Sequence, residues 1–406
     1  MRSFIFISDI FMLLLATDTV ICNEEYYEKG SEALKTQHKN MAVSTLALRF
    51  SLCKLASIAD DDTKAELMVA LGLSKNVKTC FKQLEEIFKN LYEVDFVFVN
   101  KMYVNYTDDV DSNFINNSSE TYGVQVDKVG FNYPKYAASF INKWFDSATY
   151  KRITDIVDHS DIALDSSILL ISATFLKTTW EFGFDIRLTK NTRFHHLDKK
   201  ISLIPMMTKT DSYMYFHDTT NYLKILNIKL GSWGTSVTFI VPQDLQGLPE
   251  LLKKFSKDPK LLKSLKDKMR YTLTKVVLPR FKIKSICDWT DLLQQFASKR
   301  IFNKTYSGLN GMLNKDSKTK NVFVSKAKQK NFVELDEMGV FRHIEGNSLF
   351  KIIIMFISSV LFWMTAPSGP NVQEFVADRP FYFSINLHPN MDEQYELFQG
   401  VFFGTE

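Results

Sequence analysis

Few residues of this chain are grouped in a way that could do chemistry unaided. His195–His196 is an adjacent histidine pair, but it stands in a polar stretch with no cysteine or further histidine close by, so a solvated turn explains it better than a metal site. Asp336–Glu337 has the composition of an acid–base pair, yet adjacent residues on a strand point to opposite faces. The seven histidines are scattered, and the chain has no Gly-x-Ser-x-Gly elbow, no Gly-rich phosphate loop and no His-Glu-x-x-His helix. An enzyme is therefore not the expected reading, and no metal or cofactor is implied. The basic series Lys253, Lys254, Lys257, Lys260, Lys263, Lys266, Lys268 and Arg270 has two readings: a point-charge surface for a sulfated glycan, or a solvated helix face interleaved with Leu251, Leu252, Leu261, Leu262 and Leu265.

The elements that must position any site belong to a 406-residue chain, long enough for several domains or one large mixed one. Its formal charge of +4 is too small to imply a nucleic-acid partner. The 34 phenylalanines predict dense aromatic packing. Met1–Arg2, the apolar run from Phe4 to Thr17 and Val20-Ile21-Cys22 read as a secretory signal over residues 1–22, leaving 23–406 as a single domain. The run is shorter than the roughly 20 residues of a spanning helix. After cleavage Cys53, Cys80 and Cys287 remain, compatible with one bridge and one free thiol. Sequons at Asn105, Asn116, Asn117 and Asn303 suit a secreted glycoprotein.

Apolar spacing predicts helices over Thr63 to Leu73, Phe81 to Leu91 and Tyr136 to Phe145. β-Branched and aromatic runs predict strands at Phe96 to Val99, Ile168 to Phe175, Ser236 to Val241, Val322 to Val324 and Phe381 to Ile385. Helices gather early and strands late, with no repeat or linker between them, which argues for one α+β domain rather than a βαβ series.

Several motifs then fall in a telling order. They are Ile141-Asn142 with Trp144, Thr149 and Ile153; Ser172 to Lys177 with Trp180 and Phe184; and Leu278 to Ile283. Val324-Ser325-Lys326 follows and leads into Asn331 to Val340, then Phe375 to Phe381 and Leu397 to Gly400. This series resembles the serpins, serine-protease inhibitors that present a bait loop and trap a protease by changing fold. The resemblance implies three β-sheets surrounded by about eight or nine helices. It also implies an exposed reactive loop over about 339–380, a breach residue at Trp180, an extracellular serine protease as partner, and a monomer. A sulfated glycan on the basic series would resemble the heparin response of some serpins.

The resemblance further implies that, once the loop is cut, the segment after Gly339 enters the central sheet as a new strand. Alternation then turns Val340, Arg342, Ile344 and Gly346 inward, with Glu337 just before the hinge. Burying an unpaired guanidinium costs on the order of several kcal/mol, so Arg342 should slow insertion and favour a non-inhibitory, substrate-like behaviour. Where serpins place two Ser, an Asn and a His beneath the opening sheet, the matching positions are Ser44, Ala47, Ser172 and Gln329, and a bond between Ser172 and Gln329 would replace the usual pair.

The loop is longer than usual and carries an apolar run, Leu349 to Met364, with Lys351 its single charge. Three explanations stand: bait for an apolar protease pocket, packing onto the body or a membrane surface, or an incorrectly predicted exon. Counting from Gly339 places the scissile bond near Ile353, and counting back from Pro380 places it near Gly369. Arg342 and Lys351 are the basic residues a trypsin-like enzyme would choose.

Overall fold

A computed structural model describes residues 39–71, 96–116, 124–176, 178–232, 234–258, 260–296, 298–319, 321–340, 372–388 and 394–404. The expected helix Phe81 to Leu91 and the apolar run lie outside these.

Strand alternation writes the architecture. In β4 (Ile168–Leu176) every residue is buried, because each face has its own cover. Ile168, Leu170 and Leu176 join the main core, whereas Leu169, Ile171, Ala173 and Phe175 join a second core under α3 (Pro134–Ala148). β2 (Phe96–Asn105) divides the same way: Met102 and Val104 face the main core and Tyr103 the second. α3 presents Ala137, Ala138, Ile141 and Phe145 at helical spacing to that second core, and Pro134 sits where its missing N–H is harmless.

These strands belong to a seven-stranded sheet ordered β3 (Gln125–Val129), β2, β4, β12 (Val324–Asp336), β13 (Gly339–Val340) and β5 (Thr178–Thr179), with β11 (Phe281–Asp288) also on β12. A nine-stranded sheet runs β1 (Met41–Val43), β16 (Tyr395–Phe402), β15 (Phe381–Leu387), β9 (Thr235–Pro242), β8 (Leu223–Lys229), β7 (Ile201–Asp218), β10 (Arg270–Pro279) and β14 (Gln373–Val376). β6 (Lys190–His195) pairs with β7 off that path. Between the sheets lies α1 (Thr45–Ile58), apolar nearly all round, as a helix enclosed by core must be. α2 (Asp61–Ala70) follows, its first turn capped by the Asp60 carboxylate accepting from Thr63 N.

The expected three sheets are thus two among the described residues. The 18-residue β7 continues from its pairing with β6 and β10 into its pairing with β8, fusing what would otherwise be separate sheets. Six α-helices, not eight or nine, lie within the described residues, the others being α4 (Leu248–Lys257), α5 (Lys260–Asp267) and α6 (Thr290–Phe296). Both described cysteines, Cys53 and Cys287, are buried and disulfide-bonded, so neither is the expected free thiol.

The phenylalanine-rich composition is expressed where the sheets meet. Phe281 stacks on Phe402 with ring centroids 4.9 Å apart and touches Phe383 at 5.4 Å. Gly400 lies against the same cluster: a Cβ there would stand 2.4 Å from Phe383 Cζ and 2.5 Å from Met41 O. Gly400→Ala should therefore lower stability by about 1–3 kcal/mol, the usual effect of overpacking, seen as a reduced melting temperature with the fold retained.

Candidate functional site: a seam in the seven-stranded sheet

β4 and β12 pair directly and in parallel from Ile168/Val324 to Phe175/Phe332, although both of β12's other partners, β11 and β13, run antiparallel to it. Above Phe332 the arrangement changes. Gly339 and Val340 form β13 between β12 and β5, with Val340 opposite Leu335 and Thr178, and Gly339 opposite Asp336 and Thr179. The seam is closed below and wedged open by two residues above. Val340 is wholly buried.

Glycine is obligatory at the wedge. Gly339 has φ +142°, and a Cβ would lie 2.4 Å from Thr179 Cα. The turn before it is held by Asp336, whose Oδ1 accepts from Met338 N (2.8 Å) and Gly339 N (3.1 Å); burial nevertheless raises that carboxyl's pKa. Trp180 spans the wedge, its indole donating to Asp336 O at 2.8 Å while its backbone N–H donates to Met338 O. Glu337 accepts from Thr189 Oγ1 at 2.8 Å and lies 3.8 Å from the Arg280 guanidinium.

Beneath the seam, on the main-core face, a polar row crosses the strands. Asn100, Ser172 and Gln329 occupy adjacent register positions on β2, β4 and β12, all buried. Gln329 grips the backbone of Ser44: its Oε1 accepts from Ser44 N at 3.0 Å and its Nε2 donates to Ser44 O at 2.8 Å. Ser44 is the N-cap of α1, yet its hydroxyl makes no capping bond, so this carboxamide ties the helix start to β12. The expected Ser172 partner is the longer contact, 3.4 Å from Gln329 Nε2. Ala47 enters through its carbonyl, which accepts from Asn100 Nδ2 at 2.8 Å. One step higher, Thr174 Oγ1 donates to Asn331 Oδ1 at 2.5 Å across the seam.

Ser44, Ala47, Ser172 and Gln329 are therefore brought together, and Glu337, Gly339, Val340 and Trp180 form a second group at the wedge. Arg342, Ile344, Gly346, Lys351, Ile353, Gly369 and Asn117 lie outside the described residues. Asn116 and Asn303 are exposed, while Asn105 is half-buried with its amide on Ser166 O. Along the basic series, Lys266 departs from a solvated face: its ammonium lies 3.5 Å from Asn386 Oδ1, and burial lowers its pKa. Sequence reasoning missed Asn100, Thr174 and Asn331. Their signal is a polar residue on the buried period of an apolar strand, as in Phe96-Val-Phe-Val-Asn100.

A family model described as Serpin (serine protease inhibitor) matches residues 27–402. The chain belongs to the serpin family. It is 28% identical to Antichymotrypsin-2 of Bombyx mori, over 90% of this chain and 92% of that protein. Antitrypsin of Bombyx mori is 27% identical over 90% of this chain and 88% of its own length. Serpin48 of Tenebrio molitor shares the fold, with a TM-score of 0.78 over 98% of both chains at 23% identity.

In this serpin the geometry ranks the polar row. Gln329→Ala removes both bonds to the Ser44 backbone and should cost about 1–3 kcal/mol in denaturant unfolding, with Ser172→Ala costing clearly less. Equal effects would show that the long Ser172 contact carries as much as the Ser44 grip.

Proposed function

We propose that this protein is a secreted inhibitor of an extracellular serine protease, acting through the loop between Gly339 and Pro380. The observation that carries the reading is the seam, wedged at its top by Val340 and closed below by a parallel pair. A strand continuing from Val340 would run antiparallel to both neighbours, replacing one parallel pairing by two antiparallel ones, and antiparallel pairing is the more stable per residue. The names of the silkworm relatives, an antichymotrypsin and an antitrypsin, support the target class. The N-terminal run of residues 1–22 and the sequons support secretion.

Partly satisfied polar groups beneath the seam favour opening. Ser44 Oγ, Asn100 Oδ1 and Asn331 Nδ2 are buried without a hydrogen-bond partner among the described residues, so parting the strands sacrifices less than a saturated network would.

Arg342 opposes insertion. Extending the observed register two residues beyond Val340 sets position 342 between Val333 and Leu176, both wholly buried in the main core. The flanking positions on that face are Leu335, Asn331, Thr178 and Thr174, with no carboxylate among them. The guanidinium slows insertion, so part of the acylated protease escapes and the chain behaves partly as a substrate.

Mixing the protein with a panel of serine proteases on a denaturing gel tests the function: a covalent complex is expected alongside cleaved inhibitor, and cleaved product alone with every protease would overturn it. Arg342→Ala should raise both the trapped fraction and the melting temperature gained on loop cleavage. A cleaved wild type already far more stable than the intact form, with no further gain in the variant, would show that Arg342 is accommodated.

A further inference from the structure

The strap that crosses the seam is fastened on both sides. It is the segment from Thr149, at the end of α3, to Ser167, which continues directly into β4. On the β2–β4 side it is held by the chain itself, by Ile153, Ile156, Val157 and Ile162 in the second core, and by α3. α3 is bound to that half in turn: the Lys101 ammonium of β2 lies 3.6 Å from the Trp144 ring centroid and 2.6 Å from Asp127 of β3. Asn142 fixes the strap to α3, accepting from Ile156 N (2.9 Å) and Val157 N (3.0 Å) and donating to Val157 O (2.8 Å).

On the other side Phe332 of β12 joins the same second core, and the rest of the fastening is electrostatic. Alternation on β12 points Lys326, Lys328 and Lys330 away from the main core toward the strap. Lys328, 2% exposed, pairs with Asp161 at 2.7 Å. Lys326 lies 3.4 Å from the same carboxylate and 2.5 Å from Asp288 of β11. Lys330 donates to the carbonyls of Thr154 and Asp155. Asp161 is thus joined by covalent chain to β4 and by ion pair to β12, the two strands that must separate.

We infer that the Lys328–Asp161 pair is a latch that sets the partition between trapping and release, an inference that rests on the function proposed above. Admitting a strand moves β4 and β12 from neighbours to next neighbours, a separation greater by about 4.8 Å. A 2.7 Å contact between groups on opposite sides does not survive that step unless the strap lets go of β4 instead. Lys328 and Asp161 are positioning residues whose pairing holds the seam closed while the acylated protease waits.

The test compares wild type, Asp161→Asn, Lys328→Met and the double variant. The first readout is the trapped fraction with a protease that cleaves the loop, measured beside the rate of loop cleavage. The second is insertion of a synthetic peptide of residues 339–349, carrying alanine at 342, into the intact protein, followed as a rise in melting temperature. The latch predicts peptide insertion faster by about tenfold in Asp161→Asn, equivalent to a barrier lowered by about 1.4 kcal/mol, with loop cleavage unchanged. It also predicts a double variant no faster than the faster single.

A lower intact melting temperature with insertion and trapping at wild-type levels would mean the pair is structural only, and would overturn the inference. Unchanged insertion would mean that the turn between Ile162 and Ser167 unravels instead, which also overturns it. If the wild type neither traps nor inserts but Asp161→Asn inserts, the latch stands while the inhibitory reading falls. If no variant inserts the latch falls, and the inhibitory reading falls with it only where no protease is trapped either.

Discussion

One parallel strand pair governs this molecule. β4 and β12 come from segments more than a hundred residues apart and meet in parallel, while β12 pairs antiparallel with β11 on one side and β13 on the other. Parallel pairing is the weaker arrangement per residue, and among the described residues only Gly339 and Val340 stand between β12 and the strand beyond it, β5. The contacts around the seam either raise or lower the barrier between these arrangements. The apolar faces of β4 do not decide it, since an inserted strand of suitable side chains would restore their burial.

What decides it is polar. On the main-core face Gln329 binds the start of α1, so that β12 is referenced to the central helix, while the poorly saturated Asn100 and Asn331 weaken the row. On the opposite face Lys328 makes a nearly dry ion pair to the strap. A buried pair adds little to stability relative to apolar packing of the same shape, but breaking it leaves a desolvated charge, so its influence falls on the path rather than the end states. Such a group suits a machine whose outcome depends on rate.

Much of this was legible in the sequence, and the rest was not, for physical reasons. The strand runs at Ile168 to Phe175 and Ser236 to Val241 and the helix at Tyr136 to Phe145 were fixed by local periodicity and appear within a few residues of their expected ends. Only Val324 of the Val322 to Val324 run is in a strand, because the Val322 backbone bonds to side chains, its N–H donating to Asn310 Oδ1 and its carbonyl accepting from Ser307 Oγ. The polar set Ser44, Ala47, Ser172 and Gln329 was recognised by family likeness. Its wiring was not, because Gln329 bonds to backbone atoms of Ser44, and backbone atoms leave no mark on sequence. Lys328 and Asp161 are ordinary surface residue types, 167 positions apart in the chain, and only the register of β12 against the strap reveals that one is buried against the other.

Two features of the chain pull in opposite directions, and their position explains how both can persist. In the proposed insertion Arg342 would burden the first inward position after the wedge, whereas the under-satisfied row lies deeper, opposite positions 344 and 346 in the extended register. An entering strand would meet its largest desolvation penalty at once and its most favourable exchange afterwards. The wedge itself rests on the forced glycine, the Asp336 turn and the Trp180 indole. On the proposed function the native state would be held by kinetics rather than by an absence of driving force. The same order of events would make the strap matter, since the proposed latch acts only while the strand is still outside, an interval that the guanidinium would prolong.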